Sequence, residues 1–231
     1  MSTQSDGNRT GATASERTLP APSLQAGRCR PWVRRVARAT LALYLGQTVL
    51  ATLPAHAQTA PIAASTAAPA GQRPLIDAAR NGVPLVHIAP PSAGGVSRNQ
   101  YEQFNVNANG AILNNSTGNV QTQLGGWVGG NLQMGPTPAR IILNEVVSAN
   151  PSQLRGTLEI AGRQADIVIA NPNGIACDGC GFLNAGRASL TTGTPQFGAG
   201  GSLTGFDVRQ GQLSIGGNGL NAANLDRTLT S

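Results

Sequence analysis

The sequence predicts an all-β fold, either a solenoid or a sandwich of short strands. Three observations carry that reading. In the stretch 157–170, Leu158 and Ile160 alternate with Thr157, Glu159 and Ala161, and Ala165, Ile167 and Ile169 alternate with Asp166 and Val168. This period of two puts successive side chains on opposite faces of a strand. Apolar pulses then recur at Ile175, Leu183 and Leu190, each followed within a few residues by Gly or Asn. Their spacing is too short for parallel βαβ units, whose crossovers need about a dozen residues. It suits a solenoid coil of roughly 20–25 residues, with three short strands and three corners. Between the strand signals stands Asn171-Pro172-Asn173-Gly174-Ile175. Pro172 presets a turn's φ, Asn173 tolerates the left-handed region, and Gly174 enters it without steric cost.

The first 57 residues are excluded from the fold. Met1 to Gly27 is polar and has no apolar period. Arg28, Arg30, Arg34, Arg35 and Arg38 form a basic cluster, and the uncharged run ATLALYLGQTVLATL follows from Ala39 to Leu53. Ala55-His56-Ala57 closes it. This is the order of a secretory signal peptide with a long n-region, cleaved between Ala57 and Gln58 and engaging the Sec machinery. The apolar run is shorter than the roughly 20 residues of a spanning helix, so a retained anchor is disfavoured.

Removing that segment changes the meaning of the charge. The whole chain is +6, but residues 1–57 carry seven Arg against Asp6 and Glu16. The remainder carries nine Arg against eight acids. The basicity therefore belongs to the targeting segment, and the electrostatic footprint of a nucleic-acid binder is missing. After residue 57 the only Trp is Trp127, so no stacking platform for single strands is apparent.

Residues 58–80, rich in Ala and Pro, are expected to form a flexible linker. The domain then runs over 81–231. Asn81 to Ile88 supplies a short strand, expected in an N-terminal cap that covers the open edge of the first coil. Phe104–Asn107 and Ala111–Asn114 are expected as the first coil strands, around a tight corner at Ala108-Asn109-Gly110. From Gln121 to Pro138 the glycines around Trp127 suggest a projecting hairpin or loop, with Trp127 packed back on the body.

The run NPSQLRGTLEIAGRQADIVIANPNGI followed by CDGCGFLNAGRASLTTG closely resembles the secretion domain of two-partner-secretion exoproteins. That family includes the filamentous haemagglutinins and the contact-dependent growth-inhibition proteins. The resemblance extends upstream through Gly94–Ser97, Tyr101–Val106 and Arg140–Glu145, and downstream to Gly205–Val208 and Gly219–Asn221. It implies a right-handed parallel β-helix, a three-faced solenoid with an N-terminal cap. It also implies recognition by an outer-membrane transporter, with Asn171–Ile175 taking part in that recognition or in early folding, and adhesion or growth inhibition in the parent protein. The expected location is the secreted or cell-surface fraction of a Gram-negative bacterium, reached through the periplasm. Many relatives carry an Asn-Pro-Asn-Leu turn where this chain has Gly130-Asn131-Leu132, so no role is carried over to that place. Relatives also continue far beyond this length, and the C-terminal coil is expected to be truncated and to favour self-association.

Two sets of residues are weighed for chemistry. Cys177-Asp178-Gly179-Cys180 has CxxC spacing, which serves redox pairs, half zinc sites and tight disulfides. Once the signal leaves, these are the only cysteines and His87 the only histidine, which disfavours a four-ligand zinc site. The strand pattern disfavours a thioredoxin-like context. The favoured reading is a small disulfide formed in an oxidising compartment. The acids Glu145, Glu159, Asp166, Asp178 and Asp207 raise the alternative of a secreted β-helix polysaccharide lyase or glycosidase. They stand isolated in sequence and are expected to be solvated. No catalytic residue, metal or cofactor is assigned.

Overall fold

The computed structural model describes residues 60–220. The segment read as a signal peptide, its expected cleavage site Ala57/Gln58 and the tail from Asn221 lie outside the described residues.

The chain opens with β1 (Ile62–Ala64), a 3-10 turn at Ala70–Gln72 and β2 (Leu75–Ala78). It then winds through β3 (Pro84–His87), β4 (Val96–Phe104) and β5 (Ala111–Asn115) before a hairpin of β6 (Val120–Thr122) and β7 (Gly126–Val128). Winding resumes with β8 (Ile141–Val146), β9 (Ser152–Leu154), β10 (Thr157–Gly162), β11 (Ala165–Ala170), β12 (Ile175–Cys177), β13 (Gly181–Leu183) and β14 (Ala185–Thr191). A second hairpin, β15 (Thr194–Phe197) and β16 (Leu203–Asp207), precedes β17 (Leu213–Ile215).

Pairing makes this a parallel β-helix. One sheet has the order β1-β4-β8-β11-β14, a second β13-β10-β5-β3-β2, and a third β17-β12-β9. The rungs β4-β8-β11-β14, β3-β5-β10-β13 and β9-β12-β17 are all parallel. The chain visits the first, third and second sheets in turn. Side chains mark the coil length: Asn171 reaches Asn150 across 21 residues, and Asn184 reaches Ile160 across 24. Where the first hairpin is inserted the same step lengthens, so Gln100 meets Glu145 across 45 residues.

The interior is a column of apolar side chains from every coil, including Leu113, Ile142, Leu158, Ile160, Ile167, Ile169 and Ile175. Tyr101 and Phe104 sit in it with ring centroids 4.8 Å apart. The outer faces of two sheets are also covered. Leu85, Ile112 and Ala161 pack under the first hairpin with Val128, Val120 and Leu124. Val96, Leu143, Val168 and Ala170 pack under Phe197, Leu203 and Phe206 of the second. That hairpin reaches back to the first coil: Gly94 N–H donates to Gly200 O (2.9 Å), and Ser92 Oγ donates to Gly201 O across 109 residues. A Cβ on Gly94 would stand 2.7 Å from Ser202 Cα, so only glycine permits this approach.

Three expectations change. The stretch 58–80 is not a linker from Ala60 onward: β1 and β2 lie in it, and Ile62 is buried. Backbone pairing that composition does not reveal holds it. β1 and β2 run antiparallel to β4 and β3, the first strands of their sheets, and so end the open edges. These two strands are the cap. Pro84–His87, expected in the cap, is instead the first parallel rung of the second sheet. A hairpin is inserted there as expected, laid on the outer face of the second sheet, but Trp127 points outward and is 67% exposed. Ile112, Val128 and Leu124 already fill the space beneath the hairpin.

Candidate functional site

Asn171–Ile175 forms the corner between β11 and β12. Asn171 is fully buried. Its Nδ2 donates to Asn150 O (2.9 Å) and Ser152 Oγ (3.0 Å), both on the preceding coil. Its Oδ1 accepts the Asn173 N–H (2.9 Å), which closes an Asx turn. Asn173 is exposed, and its Nδ2 donates to Ser148 O (2.6 Å). Gly174 has φ +112°, a conformation side chains rarely adopt, whereas Asn173 does not enter the left-handed region expected of it. Gly174 O accepts from Ser152 N–H (3.0 Å), and Ile175 N–H donates to Gln212 O (2.9 Å) on the next coil. Asn150 Nδ2 in turn donates to Glu102 O (3.1 Å). The corner is thus the middle of a column of polar corners running from Glu102 through Ser148–Asn150 and Asn171–Asn173 to Gln212. Pro172 is half-buried, and its O lies 2.5 Å from where a Cβ on Gly211 would stand.

The same device recurs where no role was expected. Asn131, buried, donates to Ile88 O and Asn114 O (2.9 Å each), while its Oδ1 accepts Gln133 N–H (2.8 Å). It needs no proline. The signal in sequence was an Asn inside the irregular stretch from Gln121 to Pro138, which glycine-rich surroundings obscured.

Cys177 and Cys180 are joined by a disulfide, with Cα atoms 5.4 Å apart. Both are buried, and the next coil covers the loop: Gly179 N–H donates to Gly219 O and Gly216 N–H to Cys177 O. Asp178 Oδ1 accepts from Asn218 N–H and Nδ2 (3.0 and 2.9 Å).

The acids expected to be solvated divide. Glu159 is buried under the first hairpin, where its two oxygens accept the N–H groups of Gln123 and Leu124 (2.7 Å each). Glu145 is buried beside Arg98, at 2.8 Å from Arg98 Nε, and also accepts from Gln100 Nε2. The Arg98 guanidinium lies 4.5 Å from the Phe197 ring centre, which the second hairpin supplies. Both acids point outward from their strands. The hairpins cover them, and strand periodicity does not show that. Asp166 is half-buried, and Asp207 pairs with exposed Arg209. Among the described residues no group of three or more His, Cys, Asp or Glu could hold a metal ion, and every buried side-chain nitrogen and oxygen has a hydrogen-bond partner. Burial lowers the His87 pKa, partly offset by Asp77, and pushes the Tyr101 phenol up, so Tyr101 remains a neutral donor to Asn144 Oδ1 (3.0 Å).

A parallel β-helix with a capped first coil, two hairpins laid on its faces and asparagine-lined corners is a scaffold class. The chain belongs to the TPS (two-partner-secretion) secretion domain family, whose profile matches residues 60–230. It is similar to Toxin CdiA of Yersinia pestis, 47% identical over 215 residues, covering 93% of this chain and 6% of that protein. tRNA nuclease CdiA-2 of Burkholderia pseudomallei is 54% identical over 156 residues, covering 67% of this chain and 5% of that protein. The chain therefore spans about one-twentieth of the curated relatives it matches. A solved structure described as the filamentous hemagglutinin secretion domain superposes with TM-score 0.63 at 38% identity, over 70% of this chain and 51% of that one.

Proposed function

We propose that this domain addresses a large exoprotein to its outer-membrane transporter, and that the corner Asn171–Ile175 is part of what the transporter reads. The family match over 60–230 carries the first half. The division of labour within the corner supports the second. Asn171 is buried and structural, whereas Asn173 displays its side chain at the surface of a rigid column. The domain itself is a recognition and folding module with no catalytic role. Adhesion or contact-dependent growth inhibition, and any nuclease activity of the kind its relatives' names record, belong to other parts of such exoproteins. Export would begin with Sec-dependent passage and signal removal at Ala57/Gln58, followed by release at the cell surface. Winding outside the cell then favours forward movement, because each coil buries apolar area and pairs backbone groups. Leu213 and Ile215 on β17 are exposed, which supports association through that coil.

The test is secretion of Asn173→Ala and Asn173→Asp through the cognate transporter. The expected outcome is signal-processed protein retained in the periplasm, with unfolding of the purified variants close to that of the parent. Parental amounts of both variants in the medium would refute the role given to the corner.

A further inference from the structure

The two hairpins that lie on the tube are held differently. The first is gripped by Glu159 through the N–H groups of Gln123 and Leu124. It is tied again where Asn81 Nδ2 donates to Leu124 O (2.7 Å) and Asn114 Nδ2 donates to Gly129 O (2.8 Å). Its Val128 is buried. The second hairpin, β15–β16, has no charge-assisted grip of this kind. Among the described residues it makes two hydrogen bonds to the tube, Gly94 N–H to Gly200 O and Ser92 Oγ to Gly201 O, both at its tip. Its apolar side chains Phe197, Leu203 and Phe206 remain half-buried. Open space flanks the loop it grips. A depression of about 340 Å³ lies beside Arg98 and Phe197, and another of about 390 Å³ beside Gly95 and Arg140. Each gap removes dispersion contacts that close packing would supply. The roots of the hairpin, Thr192-Gly193 and Val208–Gly211, lie outside regular structure, and Val208–Gly211 is exposed.

We propose that the β15–β16 hairpin is a releasable strap. It lifts from the first coil while the tube stays wound, and so switches the outer face of the first sheet between covered and open. The tube does not need the strap, because β4, β8, β11 and β14 pair with one another through parallel ladders in which it takes no part. Lifting breaks two neutral hydrogen bonds, and their groups at the exposed tip gain water instead. It also parts Phe197 from the Arg98 guanidinium. Arg98 keeps its bonds to both oxygens of Glu145 with the strap away, so no charge is left unpaired. The face that opens is the stripe Val96, Leu143 and Val168, one residue from each of three coils. Sub-global opening of this kind is expected of a supersecondary unit with few buried contacts. The inference does not rest on what the transporter reads, so the secretion assay and the test below can fail separately.

The test is native-state hydrogen exchange on the full chain, read by nuclear magnetic resonance. The Gly94 N–H, bonded to Gly200 O, reports the strap, and the Asp166 N–H, bonded to Arg140 O, reports the tube. The expected result is that Gly94 exchanges at least about a hundredfold faster than Asp166 and depends only weakly on urea, since lifting exposes little surface. A cross-link supplies the control. A Cβ on Gly200 would stand 3.6 Å from Ala93 Cβ, within the span of a disulfide. The oxidised pair Ala93→Cys with Gly200→Cys, made in a Cys29→Ser background, should shrink the gap between the two rates at least about tenfold. The pair Ala93→Ser with Gly200→Ser, which cannot cross-link, should keep the gap. Phe197→Ala, which leaves the glycines alone, should speed Gly94 about tenfold and leave Asp166 within about twofold of the parent. Equal rates at Gly94 and Asp166 in the parent would overturn the inference. So would a cross-linked chain that keeps the full gap, or a Phe197→Ala chain in which both amides speed up alike.

Discussion

Replacing Asn171 by Ala removes one side chain that ties two coils together at full burial. The amide donates twice, to Asn150 O and Ser152 Oγ, and accepts once, from Asn173 N–H. Each bond contributes about 1 kcal/mol net, and a stranded buried partner costs about 1–3 kcal/mol. Ser152 is fully buried and would be stranded, whereas Asn150 and Asn173 are exposed and gain water. The loss is therefore about 3 kcal/mol out of the roughly 5–15 kcal/mol that hold a domain folded. At about 2–4 °C per kcal/mol for a chain of this size, Tm should fall by about 6–12 °C. Asn173→Ala is the matched control: it loses one bond from an exposed donor and should cost less than about 1 kcal/mol. Asn171→Asp should be worse than Ala, because it keeps the acceptor for Asn173 but aims a buried charge at the Asn150 carbonyl. Urea and thermal unfolding followed by circular dichroism read all three. If Asn171→Ala cost no more than Asn173→Ala, the buried amide would not be what joins the corners.

Three other outcomes are expected. Glu159→Ala should cost about 3 kcal/mol by urea unfolding and expose the 120–128 hairpin to proteolysis, since two charge-assisted bonds of 2.7 Å vanish; Glu159→Gln, which keeps one acceptor, should lose about half as much. The double replacement Cys177→Ala with Cys180→Ala should cost only about 1–2 kcal/mol, because the closed loop is tiny, and mass spectrometry without reduction should show the parent two hydrogens lighter than its reduced form. Stability should fall as pH drops below about 6.5, since the unfolded chain takes up a proton on His87 before the folded one does, its folded pKa being lowered by burial; His87→Gln should flatten that part of the stability profile.

The strands were legible where only one period competes. Ile167 and Ile169 point into the tube and Asp166 is half-buried on the other face, so alternation marks β11. The turn at Pro172–Gly174 was legible because its residue types permit little else. Elsewhere two-sided burial hid the pattern. All five residues of β5 are buried, Leu113 inside the tube and Ile112 under the first hairpin, so neither the apolar Ala111–Leu113 nor the buried Asn114 and Asn115 alternate in a way that marks one face. The cap was illegible for a different reason. Ile62 is one apolar residue among Ala and Pro, and the long antiparallel strand it pairs with lies some forty residues on. The second hairpin escaped notice because its partner surface, Val96 to Val168, belongs to three different coils.

That second hairpin bears on how the domain completes itself. A bare solenoid joins each coil only to its neighbours, so it can wind from one end as residues emerge. Here Gly200 and Gly201 bond back to Gly94 and Ser92, and Phe197 rests on Arg98. Glu145, on the rung next to β4, is held by that same Arg98. The first coil therefore acquires its outer cover only after β16 has formed. Loops of that length close at an entropic cost that grows slowly with length, so the delay is one of order of emergence more than of energy. Coils wound earlier leave Val96, Leu143 and Val168 uncovered until the hairpin arrives. On the proposed export route, this order would leave the outer face of the first coil open until most of the domain had emerged.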